Sequence, residues 1–170
     1  MLRITQVHFD EIRRHGEEAY PHECCGVLLG HVEGSGNAVT DAVPAENTRT
    51  DAAHNRYEIA PRELIRIQQQ ARNRGLDIVG FYHSHPDHPA EWSKTDLEEA
   101  HWIGCSYVIT SVVGNAADGG AGTGRCRATE TSSFRLAGTG EQDKRLEREA
   151  VEVAVEKAHV DRSSRPRSGM

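Results

Sequence analysis

The amino-acid sequence predicts a single α/β domain in which helices flank a mixed β-sheet. Three observations lead there. At 170 residues the chain has the length of one ordinary domain with a substantial core. Short runs rich in Val, Ile, Tyr and Thr recur along it at strand length. The helical pattern over 61–74 leads directly into an apolar run at 77–83, an order of strand, helix and strand that favours a sheet covered by helices.

Residues 2–4 suit a short strand, and Thr5 is placed to cap a helix that Pro21 ends. The compact run 22–30, with Gly26 and Gly30 in it, reads as a buried strand with Glu23 at its mouth. A glycine-rich turn at 33–37 leads to a second strand over 38–43, making a hairpin. Residues 44–55 are polar and form a loop, and 57–59 suit a short strand. Pro61 fits the first turn of the next helix and Gly75 its end. After the strand at 77–83, Pro86 and Pro89 stop the pairing, and Ser93-Lys94-Thr95-Asp96 opens a short helix reaching 101. Strands follow over 105–113 and 125–136, joined by the glycine-rich turn 115–124, which lacks the lysine and helix of a phosphate loop. In the tail, Leu146, Ala150 and Val153 have helical spacing while Val151, Val153 and Val155 alternate, and the alternation favours a strand near 149–155. The polar, basic end from 161 has no apolar anchor and is expected to be disordered.

Twenty basic and twenty-six acidic side chains give a net charge of −6, with no basic block outside the thin C-terminal one, which argues against nucleic acid as a partner. No window is long and apolar enough for a membrane span or a secretory signal, so a cytoplasmic protein without a membrane partner is expected. Cys24, Cys25, Cys105 and Cys126 contain no Cys-x-x-Cys pair and read as plain thiols. His8, His15 and His22, seven apart, receive no role, and no pattern sets an oligomeric state.

The chemistry concentrates in 80–96, GFYHSHPDHPAEWSKTD. His83 and His85 stand two apart at a strand end and therefore on one face, where two imidazoles can share an ion. Asp96, in the first turn of the next helix, can add a carboxylate, and two nitrogens with one oxygen suit a catalytic Zn2+. Such an ion would polarise a carbonyl and acidify water, which makes a hydrolase plausible. Glu23 is the candidate base and Ser93 the candidate donor to a developing oxyanion. Ser93-x-x-Asp96 is equally a capping box, and Glu23 alone would be a solvated residue beside a turn.

Taken together, Glu23, His83-Ser84-His85-Pro86, six further residues and Ser93-Lys94-Thr95-Asp96 resemble the signature of the JAMM (MPN+) metalloprotease family. Pro21-x-Glu23-x-Cys25-Gly26 and the apolar run after it look like that family's first block, and the resemblance spans about residues 2–136. It implies a cytidine-deaminase-like fold, one Zn2+ per chain on His83, His85 and Asp96, Glu23 as general base and Ser93 as oxyanion stabiliser. The chain is similar in particular to the small stand-alone prokaryotic members. That implies cleavage of a peptide or isopeptide bond after the C-terminal Gly-Gly tail of a ubiquitin-like or sulfur-carrier protein. The catalytic domain would occupy 1–136, a C-terminal extension packed on it 137–158, and a disordered tail 159–170. Trp92 stands where relatives often have proline, and the match weakens after Leu136. Two rivals share the fold. A non-catalytic MPN-type binding module usually lacks a ligand, whereas all are present here. A nucleobase deaminase needs His-x-Glu and Pro-Cys-x-x-Cys, and neither occurs.

Overall fold

The computed structural model describes residues 1–49, 56–114 and 126–155. In chain order its elements are β1 (Leu2–Thr5), α1 (Gln6–Ala19), β2 (Cys25–Glu33), β3 (Gly36–Ala45), α2 (Pro61–Asn73), β4 (Asp77–Pro86), α3 (Lys94–Glu99), β5 (Ser106–Gly114), β6 (Cys126–Ala137), β7 (Arg145–Glu149) and β8 (Val151–Ala154). The expected α/β architecture is present, and the punctuation residues act as their chemistry dictates. Thr5 Oγ1 accepts the His8 N–H at the start of α1, Pro61 begins α2, and Gly75 closes it at φ +70°.

The strands form one sheet in the order β7-β6-β5-β4-β2-β3-β1-β8. It is mixed, because β4 pairs parallel with β5, and β1 parallel with both β3 and β8, while the remaining ladders are antiparallel. β7 and β8 stand at opposite ends of this order, yet Ala150 alone separates them in the chain. The sheet therefore curls until its ends meet, where the Leu2 N–H donates to the Ala150 carbonyl at 2.8 Å and the Ser133 hydroxyl to Glu149 at 2.8 Å. The competing helical spacing in the tail loses because β6 and β1 each present an unpaired edge, which only extended chain can satisfy.

Each face of the sheet buries its own core. Val27, Leu29, Phe81 and Ile109 pack with Ile67 and Ala71 of α2, with Leu97 of α3 against them. On the other face Leu28, Val79, Tyr82 and Val108 pack with Ile12 of α1. Full burial of one such aliphatic side chain contributes about 1.5–3 kcal/mol. Where β2 crosses β4, a Cβ on Gly26 would lie 2.3 Å from the Tyr82 ring, so only glycine lets that tyrosine lie flat beneath the strand.

Four expectations change in detail. Residues 57–59 form no strand; the Asn47 side chain holds this segment instead, accepting the Glu58 N–H at 3.1 Å and donating to the Arg56 carbonyl at 3.1 Å. β4 continues through His85 and Pro86, because its parallel partner β5 runs alongside it to Val112 and the Asp87 N–H reaches the Val112 carbonyl at 2.8 Å. α3 ends at Glu99 rather than 101. The tail forms two strands where one was expected, β7 pairing with β6 and β8 with β1. Residues 50–55 of the expected loop, the glycine-rich turn 115–124 and the expected disordered tail lie outside the described residues.

Candidate metal centre

The centre forms where β4 emerges between β2 and β5. From Phe81 onward, alternate residues of β4 share the face of α2 and α3, so Phe81 joins the core while His83 and His85 line the opening beyond it. Across the ladder, Cys25 stands opposite His83. The pairing runs one step further, with the Ser84 N–H donating to the Cys24 carbonyl at 3.2 Å and the Cys24 N–H to the Ser84 hydroxyl at 2.9 Å. Continuing that register places Glu23 beside His85, and Glu23 is only 5% exposed.

Asp96 arrives from the other direction on α3. Ser93 is the N-cap, its Oγ accepting the Asp96 N–H at 3.2 Å while Asp96 Oδ2 accepts the Ser93 N–H at 2.6 Å. The box leaves Asp96 Oδ1 at 3.1 Å from His83 Nε2 and Oδ2 at 3.6 Å from His85 Nε2. The two Nε2 atoms lie 3.0 Å apart, and a donor atom from each of the three residues lies within 4.8 Å of the others. His85 Nδ1 stands 2.9 Å from the Pro89 carbonyl, which can only accept, so Nδ1 carries a proton and the ring turns Nε2 towards His83 and Asp96. Two imidazole nitrogens and a carboxylate converging in this way fit a divalent cation that accepts mixed nitrogen and oxygen ligands, and zinc is such an ion.

The electrostatics agree with that donor set. Burial pulls the His83 pKa below its usual value despite its bond to Asp96, which keeps the ring neutral. Burial acts on His85 in the same direction but is outweighed by Asp96, the Pro89 carbonyl and Glu23, leaving that pKa raised. For Asp96 the upward push of burial is overcome by hydrogen bonds from both histidines and from Ser93, and the carboxyl falls well below its ordinary range. Burial pushes Glu23 up to about 8, with the negative charges of Asp96 and Glu99 adding to it against the opposing pull of His85.

Glu23, His85 and Ser93 line one cleft of ≈ 380 Å³, with Arg56 and His88 at its margin. A model of the prokaryotic homologues of the JAB domain matches residues 5–127, which includes the whole of this centre. The chain belongs to that family.

Relatives of this JAB-family chain include a desampylase of Haloferax volcanii, 41% identical over 108 residues that cover 60% of this chain and 74% of the relative. A probable TtuB-protein conjugate cleaving protease of Thermus thermophilus is 30% identical over 109 residues, covering 64% of this chain and 69% of the relative. Among solved structures, that of a Desulfitobacterium hafniense protein aligns with TM-score 0.70 and 26% identity over 94% of this chain and 97% of its own. The small prokaryotic JAMM/MPN family expected from the motifs is thus the one found. Among the described residues, no helix is long and apolar enough to cross a membrane.

The fold brings together all five residues singled out in the sequence: His83, His85 and Asp96 at one point, Glu23 and Ser93 on the adjoining cleft. Three further participants gave no signal. Tyr57 stacks on the His83 ring with centroids 4.6 Å apart, and it also lines a second groove of ≈ 340 Å³ with Ile59, Leu64, Phe81 and Trp102. Pro89 contributes a carbonyl, which no side-chain motif encodes. Lys144 holds the far end of α3. His8 and His15 belong elsewhere, His8 bonded to Glu11 and the Thr40 carbonyl and His15 to the Tyr82 hydroxyl.

Proposed function

We propose that the chain is a zinc-dependent hydrolase that cleaves a peptide or isopeptide bond after the C-terminal Gly-Gly tail of a ubiquitin-like or sulfur-carrier protein. The observation that carries this reading is the pair of Nε2 atoms 3.0 Å apart beside the Asp96 carboxylate, with a buried carboxyl on the adjoining cleft. The names of the Haloferax and Thermus relatives support the substrate class.

His83, His85 and Asp96 would hold one Zn2+ per chain. Bound there, the ion would polarise the scissile carbonyl and make water a nucleophile near neutral pH. Glu23, as general base, takes the proton from the attacking water and returns it to the leaving amine; a nearby dication would favour its ionised form, and burial would favour its holding the proton until transfer. Ser93 Oγ accepts the Asp96 N–H and lines the cleft, where its O–H would donate to the carbonyl oxygen as negative charge grows there. One such donor contributes about 2–4 kcal/mol to the transition state. Residues 1–136 make up the catalytic domain in this reading, and the following extension closes its sheet through β7 and β8.

The test incubates the protein with Gly-Gly-tailed carriers bearing a C-terminal extension, beside the Glu23→Gln and Asp96→Ala variants. Cleavage directly after Gly-Gly is expected from wild type, with zinc retained but activity lost in Glu23→Gln, and both lost in Asp96→Ala. Undiminished cleavage by Glu23→Gln would refute the assigned base.

A further inference from the structure

We propose that Tyr57 is a positioning residue for His83: its stacked ring keeps His83 Nε2 directed at the point shared with His85 and Asp96. This rests on the reading of those three residues as metal ligands.

A metal-ligating imidazole is ordinarily oriented by a hydrogen bond from its other ring nitrogen to a carbonyl or carboxylate. His85 has that bond, through Nδ1 to the Pro89 carbonyl at 2.9 Å. His83 does not, since its Nδ1 is buried and has no hydrogen-bond partner among the described residues. The outer torsion of a histidine is soft and broad, so the backbone alone does not set the ring plane. Apart from the Nε2 contacts with Asp96 and His85, what meets the ring is aromatic. Tyr57 lies nearly parallel to it, at 4.6 Å and 27°, and the His85 ring crosses it at 4.9 Å and 57°. A parallel ring at this separation blocks the rotation that would turn Nε2 away, because any tilt drives ring atoms into the tyrosine face.

Tyr57 is itself held in place, although no strand contains it. The amide of Asn47 bonds the chain on both sides of it, through the Arg56 carbonyl and the Glu58 N–H, and also donates to the Glu23 carbonyl at 3.2 Å. One side chain thus fixes the stacking ring relative to the strand mouth that carries the proposed base. The phenol hydroxyl has no part in this account, which makes phenylalanine the conservative replacement.

The experiment compares wild type, Tyr57→Phe and Tyr57→Leu. Each is titrated with Co2+ and followed by visible absorption, the dissociation constant is found by competition with a chelator, and the metal-free proteins are melted. Wild type and Tyr57→Phe should bind about one Co2+ per chain with affinities within about twofold, and Tyr57→Leu should bind about tenfold or more weakly with an altered absorption band. Equal Co2+ affinity and an unchanged band in Tyr57→Leu would overturn the proposal; a lower melting temperature alone would reduce Tyr57 to packing. Absence of stoichiometric Co2+ binding by wild type would overturn the metal reading beneath it, a separate outcome. Should Tyr57→Leu fail to fold, proton NMR of metal-free wild type decides. Stacking shifts the carbon-bound ring protons of His83 upfield of those of His85, and unshifted resonances would refute the proposal.

Discussion

Ser93 and Asp96 each accept the other's backbone N–H, at 3.2 and 2.6 Å, so one capping box holds both the third candidate ligand and the candidate donor to substrate. The structural and the catalytic readings of Ser-x-x-Asp are therefore compatible. The same box that begins the helix aims the carboxylate at His83 and keeps the serine hydroxyl beside it.

The two roles separate in Ser93→Gly. Glycine replaces serine as N-cap at a cost of only a few tenths of a kcal/mol, and its N–H still reaches Asp96. Melting temperature and zinc content should stay close to wild type, while kcat falls by about 10²–10³-fold, the loss of one oxyanion donor. A variant that keeps its zinc and its turnover would remove Ser93 from the chemistry and leave it a cap.

In the proposed reading, Glu23 should make metal binding dependent on protons. With its pKa at about 8 the carboxyl is mostly protonated at pH 7 in the metal-free chain, and a nearby dication favours the ionised form. Zn2+ binding at pH 7 should then release close to one proton more from wild type than from Glu23→Gln, counted by calorimetry in two buffers of different ionisation enthalpy. The same shift has a consequence for stability. A pKa raised from the ordinary 4.5 contributes stability that is fully present below that value and lost as pH rises through about 8. Metal-free wild type should therefore lose melting temperature relative to Glu23→Gln between pH 5 and 9, and a gap that stays constant would show that this carboxyl is not buried.

Lys144 acts on the opposite end of α3. Its side chain is only 8% exposed, and its ammonium donates to the carbonyls of Glu98 and Ala100 at 2.9 Å each and pairs with Glu141 at 2.6 Å. α3 has six residues and buries none of them fully, and this tie holds its C-terminal end as Leu97 and Asp96 hold its body. Lys144→Met should destabilise the protein by about 1–3 kcal/mol in denaturant melts and weaken zinc binding several-fold. Lys94→Met, on the same helix but with a 90% exposed side chain, should change neither, and parity between the two substitutions would contradict the tie.

How far the fold can be read from the chain depends on how far apart the interacting residues are. Thr5, Pro61 and Gly75 mark helix ends in the sequence because capping is settled within one turn. The run from Cys25 and the run leading to His83 and His85 are legible as strands through their composition, and the short spacings His83-Ser84-His85 and Ser93-x-x-Asp96 already imply shared faces. Residues 57–59 have strand-like composition but form no strand, because the groups that fix them sit on Asn47, ten positions earlier, outside any local pattern. The tail was harder still. Whether its valines lie in helix or strand depends on unpaired edges at β6 and β1, which exist only once the sheet has formed.

The sequence by itself determined the types of the candidate ligands, their local spacing and the capping box, because strand alternation and helix capping act over a few residues. Only the tertiary structure decided which distant groups complete the centre. The β2–β4 register carries Glu23 to His85, the Asn47 amide holds the chain on either side of Tyr57 where it covers His83, and Lys144 reaches α3 from the turn before β7. The physical reason is that strand register and side-chain packing are settled between segments far apart in the chain, by the shape of the whole core.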